Sequence, residues 1–370
     1  MHRKKIVIVI EYLTPEIKGL SDVWARVEVL CANFDVLVIT RAPQLKKSLK
    51  SSRVMVFPWS SKSMGSFAFY LSCWLFIWLL KYDWLFLAEM QDAPSVLFTR
   101  KNKTIFYGNV HPFQFSAVEE GHTSLRARIK RFVYLQLVRL SLIRARKILA
   151  ISPQLREVYI SLGATPSRVT IQPMGVNLSL FSPGSNRSTD FFRCIYTGEL
   201  TRTRGSDELM DATKIVSGVL PSFRLRILGV SNDNETNLSA KASKLGIRQN
   251  IEILPSVGHS EVPNYLKDCH IGISLLYPTA YYSCSPPTKI FEYMASGLPV
   301  VANRISTHSD YIIHERNGLI TELNAEAIAA AILRLAKDTD LRKCLSIYAQ
   351  VDCRMFEEGP IIKSFINEFE

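Results

Sequence analysis

Three things are scarce in this chain of 370 residues, and each absence narrows what it can be. The seven cysteines never form a CxxC pair and show no metal-ligand spacing. That argues against a disulfide scaffold or a zinc ribbon and reads as reduced thiols in a cytoplasmic protein. Long apolar runs are also lacking. "SFAFYLSCWLFIWLL" at 66–80, between Lys62 and Lys81, falls short of the roughly 20 residues that cross a bilayer and is expected to be a buried helix. The opening "MHRKKIVIVIEYL" starts basic and turns apolar, but Glu11 breaks the run and no small-residue cleavage site follows. A first buried strand is expected there rather than a leader. Acidic residues, finally, are missing from Gly121 to Arg156.

That gap is part of a wider asymmetry. The net charge is +12, but residues 1–184 hold 25 Lys/Arg against 11 Asp/Glu, whereas the remainder holds 20 against 22. One half therefore suits an anionic partner and the other does not. Within the basic half, "SLRARIKRFVYLQLVRLSLIRARK" (124–147) places Phe132, Leu135, Val138, Leu142 and Ala145 at helical spacing among eight basic residues. Such an amphipathic helix can lie on anionic lipid, with Arg126, Arg128, Lys130 and Arg131 as its contacts. No basic motif interleaved with aromatics points to nucleic acid.

Strand-like apolar runs alternate with helical stretches along the whole chain, which implies mostly parallel sheets. Strands are expected at 5–10, 35–40, 53–59, 83–89, 104–110, 147–152 and 169–175. After the polar stretch "SPGSNRSTD" (182–190) the pattern restarts at 193–198, 225–230, 251–254, 270–277, 298–303 and 318–321. The reading is two Rossmann-like domains with a cleft between them, residues 1–183 and 184–352. Residues 353–370 form a C-terminal helix packing back toward the first domain. Ligands of such sheets bind beyond the carboxyl ends of the strands.

The most informative stretch is "SPPTKIFEYMASGLPVVA" (285–302). Pro286, Pro287 and Thr288 mark a helix start and Gly297 its end. A phosphate would meet the first turn beside Lys289, and Glu292, one turn deeper, could accept hydrogen bonds from ribose hydroxyls. Taken alone, Lys289 and Glu292 also fit a solvated surface pair.

The wider pattern resembles the donor site of retaining GT-B glycosyltransferases of family 4. That family shows S-x-P-x-K-x-x-E-Y-M-A-x-G-x-P-V-V; here stand Ser285, Pro287, Lys289, Glu292, Tyr293, Met294, Ala295, Gly297, Pro299, Val300 and Val301. "VTIQPMGVNLSLFSP" (169–183), "YTGELTRTRGSDELMDA" (196–212) and "IIHERNGLI" (312–320) are similar to further family segments in the right order. The resemblance implies two Rossmann-like domains facing each other across a cleft. It implies transfer of a sugar from a UDP- or GDP-sugar to an acceptor hydroxyl, with no cofactor and no metal. It gives Glu292 the ribose, and Lys289 and Arg204 the pyrophosphate with Arg202 as a second candidate. Gly19, Gly198, Ser285 and Thr288 would line the donor, and His111 would lie near the transferred sugar. Two positions depart from the family: Cys284 replaces a sugar-binding glutamate, and Glu199 replaces an arginine. "DTD" (338–340) imitates a metal motif but follows a helix far from the strands and reads as a connector.

The acceptor expected is a lipid-linked saccharide or glycolipid, with the protein peripheral on the inner face of a membrane. A nucleotide-sugar 2-epimerase and a non-catalytic nucleotide-sugar-binding subunit remain as alternatives.

Overall fold

The computed structural model of the chain describes residues 3–10, 21–41, 49, 53–56, 73–87, 96, 99, 103–108, 125–184 and 190–370. It divides into two compact units, Met1–Met174 with Pro360–Glu370, and Gly175–Gly359.

The first unit carries a parallel sheet in the order β3-β2-β1-β4-β5-β6-β7. Its strands are β1 (Lys5–Ile10), β2 (Asp35–Thr40), β3 (Arg53–Val56), β4 (Trp84–Leu87), β5 (Thr104–Gly108), β6 (Lys147–Ala150) and β7 (Val169–Ile171). "IVIVI" is the core of β1 and is buried throughout, as a central strand covered on both faces requires. Residues 360–370 close this unit. Phe365 packs edge-on against Phe86 at 5.5 Å, Trp84 Nε1 donates to the Phe369 carbonyl at 2.8 Å, and Lys147 pairs with Glu368 at 2.6 Å.

A buried charge cluster ties the same parts together. Arg26, in the helix Ser21–Asn33, is fully buried and donates to Asp22 at 3.0 Å and to the Pro173 carbonyl at 2.9 Å. Its guanidinium lies 4.5 Å from the centre of the Tyr107 ring and 5.0 Å from that of Phe365, and the Tyr107 hydroxyl donates to Asp22.

Two expectations about this unit need correction. Residues 73–79 are helical but not wholly buried. Cys73 and Ile77 face inward, whereas Leu75, Trp78 and Leu79 are 64%, 67% and 71% exposed; residues 66–72 lie outside the described residues. In the helix Leu125–Arg144 the single stripe expected to face lipid is split: Val138 and Leu142 are buried in the core, whereas Phe132 is 63% exposed. It belongs to a second apolar stripe, with Ile129, Val133, Leu140 and Ile143, that faces away from the core. Arg128 is exposed beside it; the side chains of Arg126, Lys130 and Arg131 lie outside the described residues. Among the described residues no helix is long and apolar enough to cross a membrane.

The second unit carries a parallel sheet in the order β10-β9-β8-β11-β12-β13. Here β8 is Phe192–Thr197, β9 Phe223–Val230, β10 Ile251–Pro255, β11 Ile271–Ser274, β12 Val300–Asn303 and β13 Gly318–Thr321. The order reverses direction between β8 and β11, and ligands of open α/β sheets bind beyond the strand ends at such a switch point. The unit begins nine residues before the boundary expected at 183/184. Composition marks a linker at 182–190, but contacts already place the residues before it, from Gly175, in the second unit. Val176 N donates to the Phe356 carbonyl at 2.8 Å, Glu358 N returns a bond to the Val176 carbonyl at 3.0 Å, and the Phe181 ring lies 5.2 Å from His259.

Candidate functional site

The helix Lys289–Ala295 is unusual for its burial: every residue after Lys289 is buried, including Glu292. Tyr293 explains how it is held. Its ring fills the space above Gly272 in β11, where an added Cβ would come within 2.2 Å of it. Its hydroxyl accepts a hydrogen bond from Thr197 N at 2.7 Å, at the end of β8. Gly297, at φ +67°, ends the helix in the left-handed region that glycine tolerates. The helix is thus fixed across the β8/β11 switch point, so Lys289 and Glu292 are placed there by the packing of Tyr293.

Around Lys289 the structure assembles several residues that sequence singled out. Its Nζ lies 3.5 Å from the centre of the Tyr196 ring. A Cβ built on Gly198, whose φ is +98°, would lie 3.8 Å from Lys289 Nζ and 3.6 Å from Arg204 Nη1, so both cations converge on this glycine. Arg204 is braced by Nε donating to the Tyr282 hydroxyl at 3.0 Å and Nη1 donating to the Glu199 carbonyl at 3.3 Å. Among the described residues no carboxylate forms an ion pair with Lys289 or Arg204. Burial, with the neighbouring Arg204, holds the Lys289 ammonium pKa well below its usual value, and Glu292 only partly opposes this. Two basic groups converging on one glycine make a place where a bound anion gains, because its charge offsets their repulsion and favours the protonated Lys289.

Glu292 lies three residues beyond Lys289. Its Oε1 is 2.9 Å from Nε2 of His259, a residue that the sequence reading passed over. The signal was there: "SVGHSE" follows β10, so His259 stands four residues past the carboxyl end of a strand, where ligand residues gather. Glu292 raises the His259 pKa above its ordinary value, partial burial opposes the shift, and Glu358 adds to it.

The other candidates divide. Ser285 and Cys284 are buried beside the helix start; Cys284 Sγ lies 3.5 Å from the Ala280 carbonyl, and burial pushes its thiol up to about 11. Thr288 is the residue before the helix and makes no side-chain cap bond. Arg202 is not brought to the other cations: its side chain is 87% exposed and meets Asp207 only at 3.9 Å. Glu199 turns out to be a cap. Its carboxylate accepts from Ser231 N at 2.9 Å and from Asn234 Nδ2 at 2.7 Å, closing the start of the helix Asn232–Leu245. Asp338 of "DTD" likewise caps the helix Thr339–Cys353 by accepting from Leu341 N at 2.8 Å. Gly19 and His111 lie outside the described residues.

Two Rossmann-like parallel sheets, with the second unit's charged groups gathered at its switch point, define the class: the chain has the GT-B fold of glycosyltransferases. Its overall fold matches that of Anabaena HepE in complex with UDP and glucose, with a TM-score of 0.77 at 16% identity over 99% of each chain. Residues 181–352, most of the second unit, match the family described as Glycosyl transferases group 1.

Among curated proteins, the chain is 27% identical to a D-inositol 3-phosphate glycosyltransferase of Pseudarthrobacter chlorophenolicus over 222 residues, 56% of this chain and 52% of that protein. It is also 24% identical to the amylovoran biosynthesis glycosyltransferase AmsK of Erwinia amylovora over 193 residues, 51% of this chain and 47% of that protein. The chain thus spans about half the length of each of these two relatives.

Proposed function

We propose that the protein is a glycosyltransferase that moves a sugar from a nucleotide-sugar donor to an acceptor hydroxyl. The observation that carries this reading is the convergence of Lys289 and Arg204 on Gly198, with no carboxylate ion-paired to either among the described residues and with Glu292 one helical turn further on. Diphosphate against the two cations and ribose against the carboxylate is the order of groups in a nucleoside diphosphate. The matched family and the names of the two relatives, both glycosyltransferases, support the same chemistry.

On this reading Lys289 and Arg204 stabilise the charge that develops on the departing diphosphate, the largest catalytic contribution open to such a site. The anomeric configuration is retained by attack on the face the diphosphate leaves, whose oxygen takes the acceptor's proton. No divalent metal is needed, because the two side chains supply the positive charge. The acceptor is a lipid-linked saccharide at an anionic membrane surface. The exposed stripe Ile129, Phe132, Val133, Leu140 and Ile143, flanked by Arg128 and Arg139, supports this part, since it offers lipid both apolar area and charge.

A second reading, a nucleotide-sugar-binding subunit without activity, is favoured by two residues. Cys284 offers the sugar no charged acceptor, and Glu199 is committed to a helix cap.

Incubation with a panel of UDP- and GDP-sugars, with EDTA throughout, separates these readings. Release of nucleotide that depends on added lipid-linked saccharide is the expected result. Binding without release would establish the second reading, and activity that appears only when magnesium or manganese replaces EDTA would overturn the metal-free account.

A further inference from the structure

Resting on the reading of Glu292 as the ribose carboxylate, we propose that His259 is a positioning residue for the donor: it holds one carboxylate oxygen of Glu292 and leaves the other to the ribose hydroxyls.

The geometry is specific. His259 Nε2 lies 2.9 Å from Glu292 Oε1, and among the described residues no bond engages Glu292 Oε2. A carboxylate offers only acceptors, so the ring nitrogen carries the proton and donates. Glu292 is almost wholly buried, at 9% exposure, and a second anchor on its carboxylate fixes the direction of the remaining lone pairs. The imidazole is itself anchored. It opens the short turn His259–Glu261, four residues past β10, and its ring packs at 5.2 Å and 55° against Phe181, which is buried. The two acids that act on it, Glu292 and Glu358, lie on different helices, and both favour the protonated ring. His259 remains 43% exposed at its side chain and can exchange protons with solvent.

Two consequences follow. Without the ring, Glu292 must be ordered by the donor itself, and ordering one flexible side chain weakens binding by about three- to tenfold. This loss falls on the donor KM more than on kcat, because the bond to ribose is present before and during transfer. The second consequence concerns pH. The ring donates to the carboxylate in either state, but the protonated ring adds an ion-pair attraction that anchors Glu292 more firmly. Donor affinity should therefore fall as pH rises through the raised pKa of His259, and a side chain that donates without titrating should abolish that slope.

The test is calorimetric titration with UDP-glucose and GDP-mannose between about pH 5.5 and 8.5, on the wild type, His259→Phe, His259→Gln and Glu292→Ala. Phe keeps the packing on Phe181 but cannot donate; Gln keeps a donor that does not titrate. For whichever donor binds, His259→Phe is expected to lose about three- to tenfold in affinity. His259→Gln should stay within about twofold of the wild type at low pH and lose the pH slope. Wild-type affinity in His259→Phe, with Glu292→Ala still weakened, would overturn the positioning role and leave the ribose assignment standing. Unchanged affinity in Glu292→Ala would overturn both.

Discussion

Lys289→Met is expected to lower sugar transfer by about 10²–10³-fold while the second unit stays folded. The surroundings of the side chain are the reason. It sits against the Tyr196 ring and beside Arg204, with no carboxylate among the described residues paired to it, and its pKa is held well down. Burial beside Arg204 favours the neutral amine, and a bound anion would favour the protonated one. Methionine keeps the apolar stem over Tyr196 and removes the charge. The variant should melt at the same temperature as the wild type or higher, and only catalysis should suffer. Steady-state rates and thermal melting measured side by side check this. Near-normal turnover in a folded variant would take Lys289 out of the chemistry.

The largest effect on stability is expected in the first unit. Asp22→Ala should destabilise it by about 3–5 kcal/mol, because it leaves the guanidinium of Arg26 buried without a counter-charge. Arg26 is fully buried, and Arg26 Nη1 is already without a partner. The loss should spread to residues 360–370, since the same guanidinium lies over Phe365 and donates to the Pro173 carbonyl. The double variant Asp22→Ala with Arg26→Met should recover much of the loss, as replacing a whole buried pair by apolar groups often does. All five tryptophans lie at or before Trp84, so tryptophan fluorescence during urea unfolding reports on this unit rather than on the second. Equal midpoints for the wild type and the single variant would show that Asp22 does not balance Arg26.

The sheets were legible because strands buried on both faces of a parallel sheet must be apolar without interruption. "IVIVI", "DVLVIT" and "LPVVAN" could hardly be anything else, and β1, β2 and β12 lie where those runs are. The core of the site was legible for a related reason: Lys289, Glu292, Tyr293 and Gly297 share one short helix and its end, so their spacing alone carries their geometry. Contacts between distant segments were not legible. His259 meets Glu292 across 33 residues, and Tyr282 braces Arg204 across 78. Local composition also misleads where a side chain has two possible employers. Glu199 stands at a position that the family gives to a phosphate-binding arginine, yet it caps the helix that starts at Asn232. Arg202 was the second candidate after Arg204, but its side chain is 87% exposed and meets Asp207 only at 3.9 Å. The helix Leu125–Arg144 has apolar residues on two stripes, and helical spacing alone could not say which one the core would use.

The β8/β11 switch point of the second unit is expected to bind a nucleoside diphosphate in one orientation. A crystal structure of the protein grown with UDP or GDP, whichever binds more tightly, tests this most directly. The account predicts diphosphate oxygens within hydrogen-bond distance of Lys289 Nζ and the Arg204 guanidinium, close against Gly198, with the ribose hydroxyls donating to Glu292. A nucleotide bound with its ribose away from Glu292, or with its phosphates touching neither Lys289 nor Arg204, would contradict it.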